Sequence, residues 1–284
     1  MAFIDLHIHS KCSDGTYSAA DIVHLAKTKG LEAIAITDHD AVCGNPMALA
    51  AGKELGITII PGIEISVKYE NYPMHILGYC IDSENPLLLD MIDRLQGSRN
   101  QRNPKIITKL QELGFDITYE EVLANVCGKV AGRPHIAMTM VQKGMVASIN
   151  EAFRKYLHDG GPAYVPKEII SPEEAFSVIK QAGGVSCLAH PWTLKYNISQ
   201  DELTKIVEEM VSAGLQGIEV YYGRGTAIGH RYSHKEQVRF LLGLAKEYKL
   251  IVTGGSDFHG DNRPDIELGQ ANVPAELLKQ FPYI

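Results

Sequence analysis

Short apolar runs alternate along this chain with amphipathic segments that carry helix start and stop signals, and that alternation constrains the fold more than any other feature. The seven runs are "FIDLHIHS", "LEAIAIT" (31–37), "ITIIPG", "MHILGY", "GGVSCLAHP", "LQGIEVYY" and "KLIVTGGSDF". Between the first two, Ser18 with Asp21 reads as a capping box, Tyr17 and Ile22 are spaced as a hydrophobic staple, and "KTKG" closes the segment on Gly30. Between the next two, "NPMALAAGKELG" (45–56) reads as a helix with Asn45 as cap and Pro46 at its first position. Strands joined by helices run parallel, so seven strands of this kind predict an α/β fold, a parallel βα barrel or related closed sheet. The link between "GIEISV" and "PMHILGY" is too short for a crossover helix, and a hairpin is expected there.

The middle of the chain differs. From Ser83 to Pro166 helical signals dominate, with caps expected at Asn85-Pro86, at Asn103-Pro104 and at Thr118 with Glu121. We read residues 83–166 as a helical lobe inserted into a barrel made of residues 1–82 and 167–284. Arg94, Arg99, Arg102, Lys105 and Lys109 recur three to five residues apart along the lobe, a pattern that a solvated helix face explains for its outer members.

Charge narrows the function classes. A net charge of −7 argues against a protein that coats duplex DNA or an anionic membrane, since both need a broad basic footprint; small anions and nucleic-acid ends remain open as partners. The five cysteines are scattered without a C-x-x-C pair, which suits thiols in a reducing compartment. No apolar run approaches the roughly 18 residues of a membrane span, and no signal segment precedes the first run, so a soluble, cytoplasmic protein is expected.

Polar residues close the apolar runs. His7 and His9 end the first, Asp38 and His39 ("TDHD") the second, Glu64 ("PGIEIS") the third, and His190 ("LAHP"), Glu219, and Asp257 with His259 ("GSDFHG") later ones. In a βα barrel these ends form one face, where active sites lie. Buried imidazoles and carboxylates without partners are costly, and cations in a shared pocket would satisfy them together. The donors are nitrogen and oxygen with no sulfur, which favours Zn, Mn or Fe at a catalytic site.

In this order and spacing, "DLHIHS", "TDHD", "PGIE", "LAHP" and "GSDFHG" resemble the motifs of the PHP (polymerase and histidinol phosphatase) family of metallo-phosphoesterases, whose fold is a distorted seven-stranded (β/α) barrel. "GRPHIA", "GGPAYVP" and "AGGVSCLAHP" are similar to its stand-alone branch of 3',5'-nucleoside bisphosphate phosphatases and RNA-trimming relatives, so the resemblance spans nearly the whole chain. It implies three divalent ions: one held by His7, His9, Glu64 and Asp257, a second by Glu64, His75 and His190, and a third by Asp14, His39 and His259. His7, His9, Glu64, Asp257 and His190 are accordingly the expected catalytic centre, with hydroxide between two ions as the attacking group. Arg133 and His135 in "GRPH" match phosphate-holding positions, and Arg99 with Arg102 could reach the same pocket. Asp38 could orient His39 or His9, or hold its loop through backbone bonds. Tyr222, Arg224, His230 and His234 are weaker substrate contacts, and His24 and His158 read as helix-surface residues.

The expected activity is hydrolysis of a small phosphorylated substrate, foremost the 3'-phosphate of nucleoside 3',5'-bisphosphates, with short RNA 5' ends as a further substrate. A cyclic sugar or nucleotide phosphate opened and then dephosphorylated needs the same groups and stays open. A metal-binding regulatory module without activity is the third reading, and the intact ligand set counts against it.

Overall fold

The computed structural model of the chain describes residues 2–70, 72–126, 130–223 and 232–281. Its centre is an eight-stranded sheet of β1 (Phe3–Asp5), β2 (Ala33–Ile36), β3 (Thr58–Tyr69), β4 (Tyr72–Tyr79), β5 (Val185–Leu188), β6 (Gly217–Tyr222), β7 (Ile251–Gly255) and β8 (Val273–Pro274). Sheet order follows chain order from β1 to β7, and the ring is nearly closed where the Leu6 amide donates to Gly254 O and the Asp257 amide to His7 O. The seven strands that the apolar runs predict are all present, and the sheet gains an eighth, β8, which the runs do not announce. The two-residue β8 pairs antiparallel with Phe3 and Ile4 on the edge of β1.

The barrel is distorted at one place. β1, β2 and β3 pair in parallel, as do β5, β6 and β7, whereas β4 is antiparallel to both of its neighbours. The expected hairpin accounts for this, with Tyr69 paired to Tyr72 across it.

Around the sheet lie α1 (Ala19–Thr28), α2 (Asn45–Leu55), α3 (Pro86–Glu112), α4 (Tyr119–Leu123), α5 (Arg133–Gln142), α6 (Ile149–Ala152) continued by a π-turn at Phe153–Leu157, α7 (Pro172–Gln181), α8 (Gln200–Ala213) and α9 (His234–Glu247). The caps at Ser18, Asn85 and Thr118 form as their sequences predict. Asn45 does not cap α2. Gly44 takes that place, and the Asn45 amide turns inward to donate to Gly62 O (2.9 Å) and Ser83 Oγ (3.0 Å), satisfying buried groups that the solvated helix end would not.

The start expected at Asn103-Pro104 is likewise absent, because α3 runs through Pro104. A proline inside a helix costs about 3 kcal/mol. Beyond it, Ile106, Ile107 and Leu110 are buried in a cluster with Ile117, Val122, Ile136 and Met140, and such side chains contribute about 1.5–3 kcal/mol each, enough to carry the helix onward. Asn103 is buried and donates to Ala131 O at 2.7 Å. The first half of α3, at Leu88, Met91, Ile92 and Leu95, packs in the barrel's main core with Ile65, Ile76 and Ile179, so one helix serves two apolar clusters. No helix among the described residues is long and apolar enough to cross a membrane.

Candidate metal centre

His7 and His9 follow β1 and are fully buried side by side, while Ile8 between them packs the other way with Ile22 and Ile36. Gly255 on β7 permits this approach, since a Cβ there would lie 2.3 Å from the His7 amide nitrogen. Glu64, on β3, stands at the middle of the cluster. Its Oε1 is 2.9 Å from His75 Nδ1 and 3.1 Å from His190 Nε2. Its Oε2 is 3.4 Å from His7 Nε2, 3.1 Å from His9 Nε2 and 2.9 Å from His39 Nδ1. Asp257 Oδ1 lies 3.7 Å from His7 Nε2 and 3.4 Å from His9 Nε2. On the far side, Asp14 faces His259 Nε2 at 3.3 Å, His9 Nδ1 at 3.7 Å and His39 Nε2 at 4.0 Å.

His75 comes early in its strand and not at its end, unlike the histidines after the parallel strands. Because β4 runs antiparallel, its beginning lies where the parallel strands end, so His75 arrives at the same face. Asp257 (φ 59°) and His190 (φ 29°) both hold left-handed backbone, a strain that non-glycine residues keep where the surroundings over-determine it.

The imidazoles share a pattern. Each of three uses Nδ1 on a structural partner: His7 on Glu219 Oε1 (2.9 Å), His190 on Thr193 Oγ1 (2.8 Å) and His259 on the Asp257 carbonyl (2.8 Å). Nε2 of each is thereby turned inward, as outer partners do for ligating histidines. Asp257 is held in the same way: its Oδ2 accepts from Tyr222 Oη (2.8 Å) and pairs with Arg263, leaving Oδ1 for the centre. Asp38 holds its loop and meets His9 only through Ser13, whose Oγ lies 3.5 Å from His9 Nδ1. It accepts from the Ser10 amide (2.7 Å), Ser10 Oγ (2.7 Å) and Ser13 Oγ (2.6 Å).

These residues fit divalent cations. Six buried atoms, His7 Nε2, His9 Nε2, His39 Nδ1, His259 Nε2, Asp14 Oδ1 and Glu64 Oε2, lack a hydrogen-bond partner among the described residues, although each would cost about 1–3 kcal/mol left so. Ligand atoms at 2.0–2.1 Å from a tetrahedral ion lie about 3.3 Å apart, close to the spacings above. The electrostatics agree. Burial alone would raise the carboxyls, yet His259 and His39 hold Asp14, His39 and His75 hold Glu64, and Arg263 and His259 hold Asp257 well below the ordinary range. Burial opposes charge on His9 too, but Asp257 and Glu64 outweigh it and push the imidazole up to about 9. Burial and neighbouring His9 push His259 down to about 4. Such a cluster calls for positive charge that not every imidazole can supply by protonation. Candidate ligand groups fall out as His9, Asp14, His39 and His259; His7, Glu64 and His190; His7, His9 and Asp257; and His39, Glu64 and His75.

A cleft of about 240 Å³ opens on this centre, lined by Asp14, His39 and His75 on one side and by Arg99, Arg102, Arg133, His135 and Lys167 on the other. Arg99 pairs with Asp40, and Lys167 Nζ lies 3.5 Å from the same carboxylate. Arg102 donates to Asn103 Oδ1 and has no carboxylate partner among the described residues. Burial beside these like charges pushes Arg102 down to about 9 and Lys167 down to about 7. Arg133 reaches Leu157 O (2.9 Å) and Asp159 (2.6 Å), while His135 is buried with Nδ1 accepting from the Gly132 amide (2.9 Å).

Other members of the cationic run turn elsewhere. Arg94 pairs with Glu174 and Lys109 with Tyr164 O, and Lys105 is exposed. His24 and His158 are surface residues; Arg224 and His230 lie outside the described residues, and His234 lines a small separate pocket behind His190. Sequence reading passed over Lys167, Asp40 and Arg263. Asp40 sat inside "TDHD" beside a named ligand, and Arg263 follows "GSDFHG" closely, so proximity could have flagged both; nothing local marks Lys167.

Barrel, donor cluster and cationic cleft together define a metal-dependent phosphoesterase, a hydrolase. The PHP-domain family model matches residues 5–165, and the chain belongs to that family. It is similar to a 5'-3' exoribonuclease of Haemophilus influenzae, 34% identical over 90% of this chain and 89% of that one. It is also similar to a 3',5'-nucleoside bisphosphate phosphatase of Chromobacterium violaceum, 31% identical over 95% and 91%. Among solved structures, a candidate metal-dependent phosphoesterase from Bifidobacterium adolescentis aligns with a TM-score of 0.87 at 31% identity, covering 98% of this chain and 95% of that one.

Proposed function

We propose that this chain hydrolyses the 3'-phosphate ester of nucleoside 3',5'-bisphosphates and of 5'-phosphorylated short RNA, with three divalent ions (Mn, Zn or Fe) at the centre. His7, His9, Glu64 and Asp257 would hold the first, Glu64, His75 and His190 the second, and Asp14, His39 and His259 the third. Ions so held lower the pKa of bound water from about 15.7 to about 7 and offset the charge of a phosphoryl group.

The chain's own residues set the geometry. Glu64 offers its two oxygens to different histidine sets. Glu219 and Thr193 orient His7 and His190, and Tyr222 with Arg263 aims Asp257. Arg99 and Arg102, joined by Lys167 once a bound anion favours its protonation, face the single carboxylate of Asp40, a surplus of positive charge that suits a second phosphate on the substrate. Arg133 would approach the same group, and His135 would support the wall behind it.

That surplus of cations, one cleft away from the donor cluster, is the observation that carries the reading. One relative is named for substrates that carry phosphates at both 3' and 5' positions and another for degrading RNA in the 5'-3' direction, and one arrangement of cleft and centre would serve both. The test is phosphate or nucleotide release by Mn-loaded protein from adenosine 3',5'-bisphosphate, 5'-AMP, histidinol phosphate, cyclic phosphates and short 5'-phosphorylated RNA. The bisphosphate and the RNA should lead. A clear preference for a cyclic ester or a lone monoester would sink the reading.

A further inference from the structure

A second cavity, about 600 Å³, adjoins the first and shares Asp14, Pro134, Phe153 and Arg263 with it. It continues past His259 between α6 and the loop at residues 261–265, so the two open spaces meet at the donor cluster from different sides. Their walls differ in character. The first is cationic; the second carries Asp261, Asp265, Ser148, Asn150 and Asn262 around Ile149, Pro134 and the half-buried ring of Phe153. Arg263, the one Arg or Lys lining it among the described residues, is committed to Asp257. A second phosphate is therefore disfavoured here, whereas a flat, uncharged group with polar edges finds an aromatic face, a proline and amide or hydroxyl partners.

We propose that this groove is the nucleobase subsite, which rests on the nucleotide reading above and adds that the base, and not only the phosphates, is recognised. The division of charge orients the substrate: phosphate toward Arg99, Arg102 and Lys167, base toward Phe153 and Pro134. Asn262 ties the boundary together, its amide donating to the Asp14 carbonyl at 2.8 Å, so the groove wall is joined directly to a residue of the donor cluster. On the other wall Arg133 lies 5.9 Å from the Phe153 ring centroid and an equal 5.9 Å from that of Tyr164, which holds the arginine of the first cavity against the aromatic of the second.

The test is equilibrium binding to the full chain loaded with calcium, comparing adenosine 3',5'-bisphosphate with the analogue that has hydrogen in place of the base. The nucleotide should bind at least about tenfold tighter, as stacking and edge contacts of one base imply. That advantage should fall to about twofold or less in Phe153→Ala. Because Phe153 also packs against the apolar cluster of residues 106–165, Asn150→Trp, an exposed position that would fill the groove, provides the second variant. Equal binding of the two ligands by the wild type, or an undiminished advantage in both variants, overturns the proposal. If the base advantage is present and lost as described while the Mn-loaded enzyme hydrolyses no bisphosphate, the subsite stands and the proposed reaction falls. If neither ligand binds, both fall.

Discussion

Glu219 grips His7: its Oε1 lies 2.9 Å from His7 Nδ1, while Oε2 accepts the His190 amide at 2.7 Å, and all three residues are on different strands or strand ends. One carboxylate thereby orients an imidazole and the backbone of a second. Replacement by alanine should raise the metal concentration needed for half-maximal activity about 10- to 100-fold, with activity recovered at high metal. Glu219→Gln should fall between, since its oxygen still accepts from Nδ1–H. A metal titration followed by isothermal calorimetry and by turnover checks this; an unchanged titration in the alanine variant would contradict it.

Lys167 predicts an unusual stability profile. Its amine is pushed down from 10.5 to about 7 by burial and by Arg99, so between those values the unfolded chain binds a proton that the folded chain lacks. Rising pH then favours folding, by up to about 1.4 kcal/mol per pH unit. The wild type should gain stability relative to Lys167→Met as pH rises from about 7 to 9.5. Denaturant unfolding at several pH values measures the difference, and a flat difference would refute it.

The same substitution should weaken the substrate clamp. Loss of a charge-assisted contact is worth about 1.5–3 kcal/mol, so KM for adenosine 3',5'-bisphosphate should rise about 10- to 100-fold in Lys167→Met. Steady-state kinetics decide, and a KM within twofold of wild type would remove Lys167 from the substrate site.

Removing the metal should loosen the fold. A ligand present at 100 times its dissociation constant stabilises by about 2.7 kcal/mol, which for a chain of this size is roughly 5–10 °C in Tm. Calorimetry before and after chelation should show that drop and its reversal by Mn or Zn. A Tm indifferent to chelator would argue that the six orphaned atoms hold nothing.

His9→Asn should abolish turnover at saturating metal while leaving the far-ultraviolet circular dichroism unchanged. Near-normal turnover in this variant would take His9 out of the centre.

Much of this architecture was legible in the chain. The seven strands and most flanking helices follow from local periodicity and caps, which depend on neighbours within a few residues. His7, His9, His39, His190, Asp257 and His259 could be named because each closes an apolar run; Glu64 was named on the same ground, but β3 runs on past it to Tyr69, so it reaches the centre from inside its strand. Asn45 and Asn103 misled for the opposite reason: each carries a cap's sequence, but burial offered its amide a better partner far along the chain. Lys167 could not be named at all, because its place beside Asp40 and Arg99 depends on how α3 lies against the barrel.

Tyr222 shows the division most sharply. By strict alternation it would face away from Glu219's side of β6, yet a bulge between Glu219 and Tyr221 shifts the register, and the Tyr222 hydroxyl reaches Asp257. His75 is similar, brought to the centre by the reversed direction of one strand. The sequence by itself determined which segments are strands and helices and which polar groups close them, because those preferences are short-range. Only the tertiary structure decided which of these groups meet, because strand direction, register and a bulge set distances between residues far apart in the chain, and no local pattern encodes them.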